Sequence, residues 1–322
     1  MFEEAMTKPK EFGGFYKKVG GNEGGKCHYP TRLDTYGCGC SHNCDYCYSK
    51  SLLDFRGLWN PEQPRVANIE AIEKVVKKIP QGSVVRLGGM TDCFPPCEVT
   101  YRVTYETIKL LNKYHIGYLI VTKGAIIGSD EYLDILDKDL AHIQVTVTCT
   151  NDDLYRKLDF EKASLPSERI KAIEKLQALG FDVQLRLSPF IEEYIDFDVL
   201  NNVKCDKILV EFLRVNTWIK RWFKDLDYSK WTVKQSGYQH LPLEEKKRLL
   251  EKVTGFKELT ICEDCTEHYN YWRDNVIPNK NDCCNLRPTK TVVEHLERME
   301  RQKEESRKAN EDKERFKLTN LI

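Results

Sequence analysis

The stretch "YGCGCSHNCDYCYSKS", residues 36–51, crowds Cys38, Cys40, Cys44 and Cys47 into a single short segment. Cys40, Cys44 and Cys47 have the spacing C-x3-C-x2-C, and Cys38 stands two residues ahead of that register. Three thiolates on one tight loop can hold three irons of a four-iron cluster, whose full ligation needs a fourth donor. Without that donor one iron stays open to a small molecule, much as a catalytic zinc site keeps an open position. Zinc is the competing reading of short cysteine spacings. Zinc sites, however, pair C-x2-C with a second such pair or with His. His42 lies within the loop, where it cannot easily complete a tetrahedron with its neighbours.

The rest of the chain bounds that reading. Its 322 residues suffice for one large domain or two ordinary ones, and 41% hydrophobic content allows a sizeable core. Fifty basic residues balance fifty acidic ones, so no net charge draws the chain to nucleic acid or membrane. The N-terminal "MFEEAMTKPKEF" has neither a basic n-region nor an apolar h-region. No apolar run approaches the roughly 18 residues a membrane span needs. A cytoplasmic location is therefore the expectation. In that reducing compartment the 13 cysteines read as metal-binding or chemical rather than as a disulfide framework.

Outward from the cysteine loop, β-branched runs alternate with helical periodicities. "VVRLGG" (84–89), "GYLIVTK" (117–123), "IQVTVT" (143–148), "VQLRLS" (183–188, ending before Pro189) and "KILVEF" (207–212) read as strands. "LDTYG" (33–37) is a first strand and "ELTIC" (258–262) a seventh. Several are near-continuous apolar runs, the mark of a covered parallel sheet. Between them, "IEAIEKVVKKI" (69–79), "YETIKLLNKYHIG" (105–117) and "ERIKAIEKLQALG" (168–180) repeat apolar residues at helical spacing. About six βα units follow, which fits a partial barrel or an open doubly wound sheet. Before this domain (31–255) lies a Gly-rich arm (1–30), read as mobile or irregular. After it come a Cys-rich segment (256–290) and a charged helix (291–322) with few apolar residues after Met299, read as solvated, the alternative being a helix that faces a partner or nucleic acid.

"CSHNCDYCYSK" resembles the signature of the radical S-adenosylmethionine (SAM) superfamily, including an aromatic, Tyr46, just before the third cysteine. The resemblance implies a partial (β/α)6 TIM-like barrel and an enzyme with a 4Fe–4S cluster on Cys40, Cys44 and Cys47. In the family the open iron chelates the amino and carboxylate groups of SAM, and the aromatic packs on adenine. The reduced cluster splits SAM into methionine and a 5′-deoxyadenosyl radical, which abstracts hydrogen from a substrate. An electron donor such as flavodoxin or ferredoxin is implied. Gly88 and Gly89 in "RLGGMTDCFPPCE" stand where the family has a Gly-Gly-Glu-like motif that binds SAM, with Met90 in place of the glutamate and Thr91 or Asp92 able to take over polar contact. A narrower resemblance is to the spore photoproduct lyase-like branch. It rests on Thr91-Asp92-Cys93-Phe94-Pro95-Pro96-Cys97-Glu98, Val121-Thr122-Lys123 and Thr146-Val147-Thr148. It implies that Lys123 pairs with the SAM carboxylate and that Thr146 and Thr148 contact SAM. Arg186 would suit a carboxylate by forked hydrogen bonding. Cys93 or Cys97 is the expected hydrogen donor, the alternative being buried thiols.

A second cysteine set, Cys262, Cys265, Cys283 and Cys284, supplies four thiols for zinc or another iron–sulfur cluster, with His268 able to replace one. A structural cluster of reduced thiols is the alternative. Cys149 and Cys205 read as core, and Cys27 is uninformative. "NTWIKRWFKDLDYSKWTVKQ" (216–235) mixes Trp218, Trp222, Phe223 and Trp231 with Lys220, Arg221, Lys224, Lys230 and Lys234, a composition that can stack bases or bury one face of a helix. A nucleic acid pyrimidine is the expected substrate. A peptide or small metabolite is the rival within the class, and a zinc-bearing nucleic-acid-binding or scaffold protein the rival outside it.

Overall fold

The computed structural model describes residues 9–19 and 26–319; residues 1–8 and 20–25 of the Gly-rich arm, and 320–322, lie outside it. Twelve strands form in chain order: β1 (Tyr16–Lys18), β2 (Thr31–Leu33), β3 (Tyr36–Gly37), β4 (Arg65–Val66), β5 (Val84–Leu87), β6 (Gly117–Thr122), β7 (Ala141–Val147), β8 (Asp182–Phe190), β9 (Lys207–Phe212), β10 (Val233–Gln235), β11 (Tyr238–His240) and β12 (Glu258–Ile261). The central eight-stranded sheet runs β1-β2-β5-β6-β7-β8-β9-β12. Every pair in it is parallel except β1 with β2. β2 and β12 do not pair with each other, so the barrel is partial.

Residue parity along the strands decides the two faces. Ile143, Val145 and Val147 of β7 share one core with Val183, Leu185 and Leu187 of β8, and with Ile208 and Val210 of β9. Ile72 and Val76 of helix Ile69–Val76, Ile108 and Leu111 of helix Val103–Lys113, and Ile173 and Leu176 of helix Pro166–Ala178 join the same core. Each such side chain, fully buried, contributes about 1.5–3 kcal/mol of transfer free energy. The alternate positions face the barrel interior and are largely polar. His142, Gln144 and Thr146 of β7 are all buried, and Gln144 pairs in register with Gln184. Polar residues on the inner face and apolar ones under the helices reverse the usual half-exposed pattern.

Three sequence expectations are corrected. The first strand is not continuous over 33–37: β2 ends at Leu33, and Tyr36–Gly37 pairs separately with β4. β8 continues past Pro189 to Phe190. Proline lacks the N–H that the ladder uses, and the pairing with β9 is irregular between Leu187 and Phe190. The described part of the N-terminal arm is not irregular, since β1 pairs antiparallel with β2 and adds an edge strand.

The helix Lys290–Thr319 is not simply solvated. Val292, His295 and Met299 are buried beneath the barrel. His295 Nδ1 accepts the Val84 N–H at 3.1 Å, and its ring stacks on Tyr29 at 5.1 Å. Tyr29, Val84 and Val292, with Leu286 and Cys284, form a small second core that floors the barrel. No helix among the described residues is long and apolar enough to cross a membrane.

Gly88, just beyond β5, has φ +83°, and a Cβ there would collide with the Val121 carbonyl oxygen. Gly88→Ala is therefore expected to destabilise the fold by about 1–3 kcal/mol, and more if β6 must shift. Gly180 has a similar φ of +79° with nothing near its missing Cβ. Gly180→Ala should cost less in the same urea-unfolding experiment.

Candidate active site

The inward-facing positions of the strands and the cysteine loop line one cavity. Arg86 of β5, Leu119 and Val121 of β6, Gln144 and Thr146 of β7, Arg186 and Ser188 of β8 and Glu211 of β9 form its wall. Cys40, Cys44 and Cys47 lie across its mouth, with Gly88, Gly89, Met90, Thr91, Asp92 and Lys123 beside them. The C-terminal ends of parallel barrel strands are where such folds place their chemistry.

Local turns aim the three sulfurs. The Asn43 N–H bonds the Cys40 carbonyl at 2.9 Å and the Cys47 N–H bonds the Cys44 carbonyl at 3.2 Å. Asn43 adopts φ +41° and Cys38 φ +58°, tight bends that left-handed residues permit. Cys38 is turned out of the cavity lining, and its carbonyl accepts the Asn60 N–H. Among the described residues, the group of three metal-type donors lying within 4.8 Å of one another is His240, Glu263 and Asp264, not the cysteine triplet. Three cysteine thiolates on one loop suit a cluster of several irons. The His240 group is already neutralised, with Lys246 paired to Glu263 and Arg214 to Asp264.

His42 serves the loop without completing a tetrahedron. Its Nδ1 lies 3.3 Å from Asp92 Oδ2. Burial opposes its charge, but Asp92 and Cys40 push it up to about 10. Burial likewise opposes the Asp92 carboxylate, yet His42 and Thr122 hold it at about 2. Burial works against a Cys40 thiolate too, but His42 keeps that thiol below its ordinary range. Burial raises Cys44 and Cys47, with the Lys123 cation acting the other way. Asp92 also accepts from Thr122 Oγ1 at 2.5 Å, the Lys123 N–H at 2.7 Å and the Phe94 N–H at 2.8 Å. It is a hub that ties the loop to the ends of β5 and β6.

The other expected residues divide. Lys123 lines the cavity, its Nζ 5.5 Å from the Tyr46 ring centre. Thr91 lines it too, its hydroxyl donating to the Tyr36 carbonyl. Gly88 and Gly89 form wall, and a Cβ on Gly89 would strike Arg32. The N–H groups of Gly89 and Met90 are held by Asp34 at 2.9 and 2.8 Å, so they are already engaged within the protein. Tyr46 and Thr148 do not line the cavity. The Tyr46 hydroxyl donates to Glu161, and its ring packs on Phe160 and Phe223 at 5.8 and 6.1 Å. Thr148 donates to the same Glu161 at 2.8 Å. Glu161 is in turn paired with the fully buried Arg169. Tyr48 takes the cavity position instead, its hydroxyl bonded to the Gly89 carbonyl at 2.8 Å.

Arg186 is committed elsewhere. It donates to Gln144 Oε1 at 2.7 Å and pairs with Glu211, which also accepts from Ser188 at 2.8 Å. Cys93 is fully buried against the turn, and burial drives its thiol far above the ordinary range. Burial pushes Cys97 up to about 12. Neither of these two expected hydrogen donors lines the cavity. Glu98, from the same motif, is structural: it accepts from Tyr132 at 2.6 Å, the Thr104 N–H at 3.0 Å and the Tyr105 N–H at 2.8 Å. Cys265 caps helix Thr266–Asn275 outside the lining, and His268 is bound to Lys246 at 3.1 Å. Cys262, Cys283 and Cys284 do face the cavity, and Cys27 joins them. Asp34, Glu161 and Glu211 went unforeseen because each acts through a partner remote in sequence, and Arg169 because its role follows from that of Glu161. Phe223 and Trp231 are core, leaving Trp218 and Trp222 at the surface.

Burial alone would raise Glu211, but Arg186 and Arg214 hold it at about 2, below its ordinary 4.5. A carboxylate depressed on folding contributes stability that is full above its unfolded value and lost as pH falls through the folded one. Glu211→Gln should cost about 3 kcal/mol at pH 7, because it leaves Arg186 without its counter-charge. The variant and wild-type unfolding curves should converge between about pH 4.5 and 2.

Comparison with known proteins accords with this geometry. Residues 35–196, half of the chain, match the radical SAM superfamily. No curated protein matches in sequence. The structure of spore photoproduct lyase complexed with dinucleoside spore photoproduct is similar with a TM-score of 0.53 at 17% identity, over 72% of this chain and 77% of that one. A tyrosine-to-phenylalanine mutant of the same enzyme gives 0.58 at 16% identity, over 78% and 80%. SuiB of Streptococcus suis bound to precursor peptide SuiA gives 0.48 at 13% identity, over 71% and 48%. The cofactors of this enzyme family are a 4Fe–4S cluster and SAM, and the thiol-lined mouth with its adjoining cation and glycine turn fits both. The chain belongs to the radical SAM superfamily.

Proposed function

We propose that this enzyme abstracts hydrogen from a pyrimidine base of a nucleic acid, for repair or modification. Cys40, Cys44 and Cys47 hold the cluster. When bound, the cluster and SAM supply a 5′-deoxyadenosyl radical, with the electron drawn from a carrier such as flavodoxin or ferredoxin. Lys123 offers its ammonium group to the SAM carboxylate. The carbonyl edge at Gly88 and Gly89 accepts from the amino group, and Thr146 supplies a hydroxyl deeper in the wall. Asp92 and His42 hold the loop in register with those groups. Leu119, Val121 and Ile261 add an apolar patch to the otherwise polar wall, which limits water around a reactive carbon.

The observation that carries the substrate assignment is an aromatic and cationic ledge beside the cluster loop. Helix Tyr48–Phe55 starts directly after Cys47, and Ser51 on it lies 3.5 Å from Asn216, which caps helix Thr217–Trp222. On the second helix Trp218 and Trp222 lie 5.9 Å apart. Arg221 stands over Trp218 at 5.0 Å and Lys50 over Trp222 at 4.8 Å. Trp218 is 37% exposed and Phe55 79%. Exposed aromatic faces beside fixed cations suit stacked bases and their phosphates.

The anaerobic, iron- and sulfide-reconstituted protein with dithionite and SAM should release 5′-deoxyadenosine, and Cys44→Ala should abolish it. Incubation with pyrimidine oligonucleotides should then yield a nucleoside of altered mass. Trp218→Ala with Trp222→Ala should weaken oligonucleotide binding about 5- to 150-fold, the range given by one stacked base, while substrate-free SAM cleavage stays near wild type. Turnover of peptides with no binding of oligonucleotides would sink the pyrimidine assignment.

A further inference from the structure

The barrel is open between β12 and the strands that begin the sheet, and thiols gather at that opening. Cys27 lies just before β2, and Cys262 just after β12. Cys283 and Cys284 arrive on the turn that precedes the last helix. All four line the cavity. Three separate chain segments thus bring their sulfurs to one wall.

The backbone around them is fixed. Asp282 accepts from the Cys284 N–H at 3.0 Å and the Leu286 N–H at 2.8 Å. The Cys283 N–H donates to His28 Nδ1 at 3.2 Å. Thr260 Oγ1 holds the Cys283 carbonyl at 2.9 Å, and Gln184 Nε2 holds the Cys284 carbonyl at 2.6 Å. Lys26 spans the opening, its Nζ bonded to the Asp264 carbonyl at 2.6 Å and to Thr266 Oγ1 at 3.0 Å. Adjacent cysteines seldom serve one ion together, but here both carbonyls are anchored and both side chains are left to the cavity.

We infer that Cys27, Cys262, Cys283 and Cys284 hold a second iron–sulfur cluster that fastens the two sides of the open barrel to each other. Soft thiolates select zinc, copper(I) or iron–sulfur clusters. Four cysteine thiolates are the usual ligand set of a 4Fe–4S cluster. Arg86 and Arg186 line the same cavity as these thiols, so cations are present to face the negative charge of thiolate ligands. Cys265, although it completes a C-x2-C pair with Cys262, is not a ligand.

The inference rests on the first cluster site only in sharing its reconstitution, and iron counting separates the two. The reconstituted wild type should hold about eight irons, four per cluster. A Cys40→Ala, Cys44→Ala, Cys47→Ala variant should retain about half, with a reduced-state electron paramagnetic resonance signal that SAM does not alter. A Cys262→Ala, Cys283→Ala, Cys284→Ala variant should retain the other half, with a signal that SAM does alter. Cys265→Ala should keep the full complement. Four irons in the wild type, or zinc in the second set, would overturn the proposal even if the multiple variants misfold. Loss of half the iron in Cys265→Ala would overturn the ligand assignment. Four irons in the first variant and none in the second would instead overturn the reading of Cys40, Cys44 and Cys47.

Discussion

Arg186 and Glu211 face each other on adjacent strands inside the barrel, and the architecture of the cavity depends on such pairing. Charge taken out of water must meet an opposite charge or a set of hydrogen bonds. Around the inner wall this requirement is met at successive levels. His142 lies 2.6 Å from Asp182 near the floor, Arg186 pairs with Glu211 at mid-height, and His42 with Asp92 at the mouth. Lys207, 3.0 Å from the other Asp182 oxygen, continues the lowest level. Because these groups alternate with apolar residues under the helices, one-residue slippage of a strand would bury unpaired charge and expose the core. The register and the site are therefore set by the same constraint.

The fold was readable because its strands are short β-branched runs and its helices keep a strict apolar stripe. Period-two polarity within "HIQVTVT" was also present in the sequence. What the sequence hid was direction. A polar residue inside a covered sheet can face ligand or partner, and only the partner's position decides. Arg186 reads as a ligand clamp until Glu211 is seen across from it. Tyr46 reads as an adenine contact, yet its hydroxyl is held by Glu161, more than a hundred residues away.

The cysteines show the same limit. The triplet was legible because all three sulfurs belong to one loop, where spacing implies proximity. The second set was only partly legible. C-x2-C coupled Cys262 to Cys265, but Cys265 begins a helix and is carried out of the wall. Cys27, featureless in its own neighbourhood, joins the set because the sheet brings the start of the chain to its end. Long-range topology, not local pattern, selects that set.

Lys26 reaches Asp264 across 238 residues of sequence, and His295 closes over Tyr29 from still farther along the chain. Contacts of such separation carry a loop-closure cost and form slowly. Synthesis runs from the N-terminus, so the loop with Cys40, Cys44 and Cys47 emerges before helix Lys290–Thr319, which floors its barrel. The nascent chain thus displays its thiols before it can enclose them, and the order of translation sets a window in which the reactive centre stands open.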